Sequence, residues 1–135
     1  SYSMLNRWVE RDDLDKYCLD NNLSLAVFSP LYQGLLTDKY LHGVPADSRV
    51  GKGATWIGNE LNDEMLARIT KLNDIAHSRG QKLSQMALSW VLHNKAVATV
   101  LIGASRPSQI VENAECINKL DFTDEEISAI EAVLK

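Results

Sequence analysis

Only two cysteines occur in the 135 residues, Cys18 and Cys116. They stand alone, without a CxxC spacing or a neighbouring histidine, so they point to neither a zinc site nor a redox pair, but to packing residues or idle thiols. His42, His77 and His93 also lack metal-ligand spacing such as HExxH, and no metal is expected. Positive charge is scarce as well. The formal net charge is -4, with no clustered Lys and Arg excess of the kind a phosphate backbone selects, which argues against nucleic acid as a partner. No apolar run approaches the roughly 20 residues of a membrane helix, and the first residues lack the basic-then-apolar order of a secretory signal. The expectation is a soluble, cytoplasmic protein without membrane insertion.

What remains is an ordinary globular composition, 45% apolar, that suits one domain or a piece of one. Ser1 to Trp8 alternates Tyr2 and Met4 and predicts a strand entered from upstream. Leu14, Tyr17 and Cys18 recur at helical spacing, predicting a helix over about 12–21 with Asp12 or Asp13 as its cap. Leu23 to Ser29 is a compact apolar run stopped by Pro30, as a buried parallel strand would be. From Tyr40 to Leu61 the glycines and Pro45 predict a long excursion loop of the kind that serves a site.

Met65, Leu66, Ile69, Leu72, Ile75 and Ala76 then form one face of a helix capped at Asn62 or Asp63 and closed by Gly80. A second helix over about 84–94 sets Met86, Ala87, Trp90 and Val91 on one side. Ala98 to Ile102 is a third strand. Pro107 opens another helix, with Ile110, Val111, Ala114 and Ile117 expected to face inward. Thr123-Asp-Glu-Glu126 is a capping box ahead of the last helix. Such strand and helix alternation favours a parallel sheet with covering helices, and three strands alone leave edges that need neighbours.

Two segments could carry chemistry. Phe28-Ser29-Pro30-Leu31-Tyr32-Gln33-Gly34 follows a strand end, where an aromatic ring can stack on a flat heterocycle and a constrained turn can aim N–H groups at an anion. A core aromatic followed by a turn fits those residues too. Gly103-Ala-Ser105-Arg106-Pro107-Ser108-Gln109 joins a strand end to a helix start, whose unpaired N–H groups and dipole suit a phosphate. Ser105 as a plain helix cap fits that spacing equally. Lys39 and Arg49 add positive charge nearby, as solvated loop residues or as part of a clamp. No nucleophile with a base, carboxylate pair or metal cluster stands out.

In their order and spacing, Phe28-Ser-Pro-Leu-Tyr-Gln-Gly-Leu-Leu-Thr-Asp-Lys-Tyr40, Gln85-Met-Ala-Leu-Ser-Trp90 and Val100-Leu-Ile-Gly-Ala-Ser-Arg-Pro-Ser-Gln-Ile-Val-Glu-Asn113 resemble the aldo-keto reductases. The likeness is to the branch that holds potassium-channel β subunits and glyceraldehyde-3-phosphate reductase-like enzymes. It implies an α/β fold, a partial (β/α)8 TIM barrel comprising the last three strands with their helices. Residues 1–135 would be the C-terminal portion of that single domain, with the upstream portion absent.

The resemblance implies NADPH as cofactor, a small carbonyl substrate, and the remainder of the barrel or another copy of the chain as partner. Phe28 matches the aromatic that stacks on the nicotinamide, with Ser29, Pro30, Leu31, Tyr32 and Gln33 beside the pyrophosphate and Lys39 and Arg49 as basic helpers. Gly103, Ser105, Gln109, Glu112 and Asn113 match the adenosine end, Ser105 near the 2′-phosphate and Glu112 and Asn113 near the adenine. Many relatives have Arg where this chain has Gln109. The implied activity is hydride transfer to an aldehyde or ketone, aided by a Tyr, Lys, Asp and His that belong upstream of Ser1. No catalytic residue is therefore expected in this chain, and Tyr2, Tyr17, Tyr32 and Tyr40 do not match the proton donor. The chain alone is expected to be inactive. The alternative is a non-catalytic cofactor-binding module of the channel β-subunit type.

Overall fold

The apolar runs that follow Asn21-Asn22 and Asn94-Lys95 become the strands. In the computed structural model, which describes residues 1–135 apart from the side chain of Trp56, β1 (Leu25–Phe28) and β2 (Val97–Leu101) pair in parallel. Parallel neighbours need a long crossover. Here it holds the glycine-rich excursion, the short helix α3 (Thr55–Gly58), α4 (Asp63–Ser78) and α5 (Leu83–His93); α1 (Trp8–Arg11) and α2 (Leu14–Asp20) precede it, and α6 (Pro107–Ala114) and α7 (Asp124–Leu134) follow β2. The result is part of a (β/α) barrel, with strands laid in parallel and helices on one face.

Two of the expected three strands form. Ser1 to Trp8 instead turns back at Met4-Leu5, where Ser3 and Asn6 exchange backbone hydrogen bonds at 3.1 Å. That exchange turns the chain back before it can extend along β1. One bond reaches the sheet, the Tyr2 N–H donating to the Phe28 carbonyl at 3.1 Å. Tyr2 and Met4 are nevertheless buried in the core. The helix expected over 12–21 starts at Leu14, because Asp13 adopts a left-handed backbone (φ 53°) and its carboxylate makes no capping bond.

The core lies between the helices and one face of the sheet. Asn62 caps α4 by accepting the Met65 N–H at 2.9 Å, worth about 1 kcal/mol, and Gly80 ends it with φ +75°. Ile69, Leu72 and Ala76 bury its apolar face as expected. The helix α5 is buried from Leu83 to Val91, beyond the single side expected, because α4, β2 and α6 all pack on it. Its polar residues find partners: the Ser89 hydroxyl donates to the Cys116 carbonyl at 3.2 Å and accepts from Gln81 at 3.1 Å.

The inward face assigned to α6 is corrected. Val111 and Ile117 are 66% and 67% exposed, and Ile110 and Ala114 are exposed too. Asn113 and Cys116 are the buried residues of that stretch. Periodicity marks an apolar stripe, but among the described residues nothing packs over this one.

Candidate functional site

The register sets Phe28 opposite Leu101, so both strands end side by side and both candidate segments leave the same edge. Alternation then decides what each face offers. Val27 is buried toward the helices, while Ala26, Phe28, Thr99 and Leu101 are exposed on the uncovered face. The expectation of strands buried on both sides is corrected accordingly. Phe28, 55% exposed, presents its ring where a ligand could stack.

Beyond Phe28 the chain bends through a constrained turn. Ser29, Tyr32 and Gln33 have φ of 55°, 46° and 59°, and Gly34 follows at 96°. Left-handed non-glycine residues are costly and cluster where a backbone shape serves a ligand. Pro30 is buried, and Leu31 and Tyr32 pack against the core. Gln33 braces the turn, its amide donating to the Ser29 hydroxyl at 3.5 Å while its carbonyl accepts from Arg49. Arg49 thus joins this group, tying the excursion loop to the turn. Lys39 is exposed two residues after Thr37 and makes no side-chain hydrogen bond to the group among the described residues. Tyr32 holds its phenol proton more firmly than usual, through burial and its hydrogen bond to Glu60.

The second segment starts from open ground, since a Cβ added at Gly103 would meet nothing within 4 Å. Ser105 and Arg106 are exposed ahead of α6. The array of free N–H groups is smaller than the helix start alone would offer. Gln109 turns its amide oxygen back to accept the N–H groups of Ser105 (2.8 Å) and Arg106 (3.3 Å) and the Ser105 hydroxyl (3.1 Å). Pro107 has no N–H, and Gln109 donates its own to the Arg106 carbonyl. Ser108 keeps the one N–H of this turn without a partner among the described residues. What this turn presents to solvent is therefore hydroxyls, Arg106 and a helix dipole more than free backbone amides.

One turn further, Glu112 accepts from Lys82 at 2.5 Å, and Asn113 is buried beside it. Gln85 donates to the Glu112 carbonyl at 2.9 Å and to the Glu115 carboxylate at 3.2 Å, and accepts the Lys82 N–H at 2.9 Å. The Lys82 ammonium is held above its ordinary range, first by the Glu112 hydrogen bond and also by the charges of Asp38 and Glu115. Lys82 and Gln85 were not among the candidates read from sequence. Nothing local signals that Lys82 meets a carboxylate thirty residues later.

Residues 1–135 match the aldo/keto reductase family from end to end. The chain belongs to the aldo/keto reductase family. It is 42% identical over 135 residues to an L-glyceraldehyde 3-phosphate reductase of Escherichia coli O157:H7, covering 97% of this chain and 39% of that protein. A probable voltage-gated potassium channel subunit beta of Oryza sativa subsp. japonica is 35% identical over 139 residues, covering 99% of this chain and 42% of its own length. Among solved structures, a glycerol dehydrogenase of Gluconobacter oxydans superposes with a TM-score of 0.77 at 26% identity, over 98% of this chain and 40% of that one. The chain thus spans about two fifths of the aldo/keto reductases it matches. An uncovered sheet face and an uncovered stripe on α6 are what such a share of a closed barrel leaves open.

Proposed function

We propose that this chain carries the cofactor-binding part of an NADPH-dependent reductase that converts aldehydes or ketones to alcohols. The observation that carries the reading is the Phe28–Leu101 register, which starts both candidate segments at one end of one sheet. A dinucleotide has a flat redox ring at one end, a flat base at the other and phosphates between, so it needs such a spread of contacts. The residues fit it: an exposed ring at Phe28, a left-handed turn after it, and open space at Gly103.

Bound there, NADPH supplies the hydride for a carbonyl carbon. Phe28 offers a face to the nicotinamide, and Ser29, Pro30, Leu31, Tyr32 and Gln33 shape the wall beside the pyrophosphate, with Lys39 and Arg49 supplying charge. Ser105 and Arg106 address the 2′-phosphate, Gln109 holds that turn in shape, and Glu112 and Asn113 take the adenine. Proton donation and orientation of a small carbonyl substrate fall to residues outside this chain, supplied by the remainder of the barrel in a cytoplasmic setting. For the 135 residues alone we expect no turnover.

Likeness to a channel β subunit supports a second reading, a module that binds the cofactor without reducing a substrate. The higher identity to a reductase favours the enzyme. NADPH binding by the whole polypeptide, followed by fluorescence, and its oxidation in the presence of glyceraldehyde derivatives and other short aldehydes test both. Binding with oxidation supports the reductase. Binding without oxidation across a carbonyl panel leaves the module, and no binding overturns both.

A further inference from the structure

We propose that Lys82 is a positioning residue for the adenine end of the cofactor, holding the Glu112 carboxylate in the orientation that accepts the adenine amino group. The inference rests on the functional reading above and adds a residue that belongs to neither candidate segment.

Three observations carry it. Lys82 is the N-cap residue of α5 and Glu112 the sixth residue of α6, yet their charged atoms are 2.5 Å apart. The contact uses Glu112 Oε2, and Oε1 has no hydrogen-bond partner among the described residues. One oxygen is anchored while the other remains open to a donor. Next to it, Gln85 fixes the backbone of the same residue through the Glu112 carbonyl at 2.9 Å, and takes the Lys82 N–H at 2.9 Å. Main chain and side chain of Glu112 are therefore both held by the first turn of α5, whose own position is set by burial from Leu83 to Val91.

A glutamate on an exposed helix face samples several rotamers, and a ligand that needs one of them must meet the cost of ordering it. An ion pair to a neighbouring helix removes part of that cost before the ligand arrives. It also sets a direction, because Oε1 then offers both of its lone pairs to an approaching amino group while Oε2 is already shared with Lys82. Both side chains remain partly exposed, 55% for Lys82 and 40% for Glu112, so the effect is that of a screened pair.

The test compares Lys82→Ala, Lys82→Arg, Glu112→Ala and the double variant in the whole polypeptide, reading the Kd for NADPH and for reduced nicotinamide mononucleotide, which has no adenosine half. Lys82→Ala should weaken NADPH about three- to fivefold at low salt, leave the mononucleotide unchanged, and be restored by Lys82→Arg. In the Glu112→Ala background the lysine change should add nothing. If Glu112→Ala weakens NADPH while Lys82→Ala leaves it unchanged or tightens it, the positioning role is overturned and the cofactor reading stands. If Glu112→Ala has no effect, the assignment of the adenine to this site fails as well. Lys82→Gln, which keeps length and polarity, serves as the charge-only comparison should the alanine variant fold poorly.

Discussion

Arg79 stacks on Phe122, its guanidinium carbon 3.7 Å from the ring centroid. The guanidinium is fully shielded from water and spends its donors on four groups: Glu126 at 2.5 Å, Gln81 at 2.6 Å, and the carbonyls of Lys119 and Asp121 at 3.1 and 3.0 Å. Burial pulls its affinity for the proton down and Glu126 pushes it back up. This one side chain ties the end of α4 to the loop before α7.

Arg79→Ala is expected to cost about 3 kcal/mol of stability, because it removes four charge-assisted hydrogen bonds and the stacking of a fully shielded guanidinium at a part-buried junction. Arg79→Lys should recover less than half of the loss, since an ammonium cannot reproduce the planar fork or the stacking. Urea unfolding of the whole polypeptide gives both values. A loss below about 1 kcal/mol for the alanine variant would mean that the network contributes little.

Phe28→Ala separates folding from binding. With 55% of Phe28 exposed, the change should alter stability by less than about 1 kcal/mol. Affinity for reduced nicotinamide nucleotides should nevertheless fall about three- to tenfold, the worth of one stacking ring, and Phe28→Trp should retain it. Equal binding by the alanine variant would remove Phe28 from the site.

How much of this was legible in advance followed the reach of each interaction. The Thr123 box is local, and it forms as written, with Glu126 accepting the Thr123 N–H at 3.0 Å and Thr123 accepting the Glu126 N–H at 3.1 Å. Asn62, Gly80 and Pro107 likewise act within one turn of their own positions. Alternation at Tyr2 and Met4 predicted a strand, and both residues are buried, but the Ser3–Asn6 exchange turns the chain back within four residues, so no strand forms there. The apolar stripe of Ile110, Val111, Ala114 and Ile117 was equally visible, although periodicity says nothing of what lies over it. For the candidate site, the ends of β1 and β2 were placed nearly correctly, whereas the Lys82–Glu112 and Arg49–Gln33 contacts depend on tertiary structure. The Gln109 brace was readable. It stands three residues after Arg106, the spacing at which a glutamine side chain can reach back to a helix cap.

Both cysteines are buried, each 5% exposed. The Cys116 thiol is pushed up from its ordinary range by burial. A folded pKa raised above the unfolded value means that its contribution to stability is complete below the ordinary thiol range and lost as pH climbs through the folded pKa. Native protein should therefore react slowly with a thiol reagent at neutral pH and fully after denaturation. Its stability should also decline above the ordinary thiol range, with a slope that Cys116→Ala reduces. Fast labelling of Cys116 in the native state would contradict the burial.

Gln109 allows charge to be changed with little change of shape. Its amide oxygen accepts from Ser105 and Arg106 at the entrance to α6, and a carboxylate can make the same bonds. Gln109→Glu should thus keep the helix start intact while setting a negative charge beside the proposed 2′-phosphate position. Repulsion should lower affinity for NADPH about tenfold while changing NADH binding little, and added salt should shrink the difference. Gln109→Arg brings two opposed effects. It adds attraction for the 2′-phosphate but removes the acceptor that braces Ser105, at a cost of about 1 kcal/mol in helix stability. The NADPH-to-NADH affinity ratio should rise in that variant even as its thermal stability drops. A ratio that stays constant across Glu, Gln and Arg at this position would place the 2′-phosphate elsewhere.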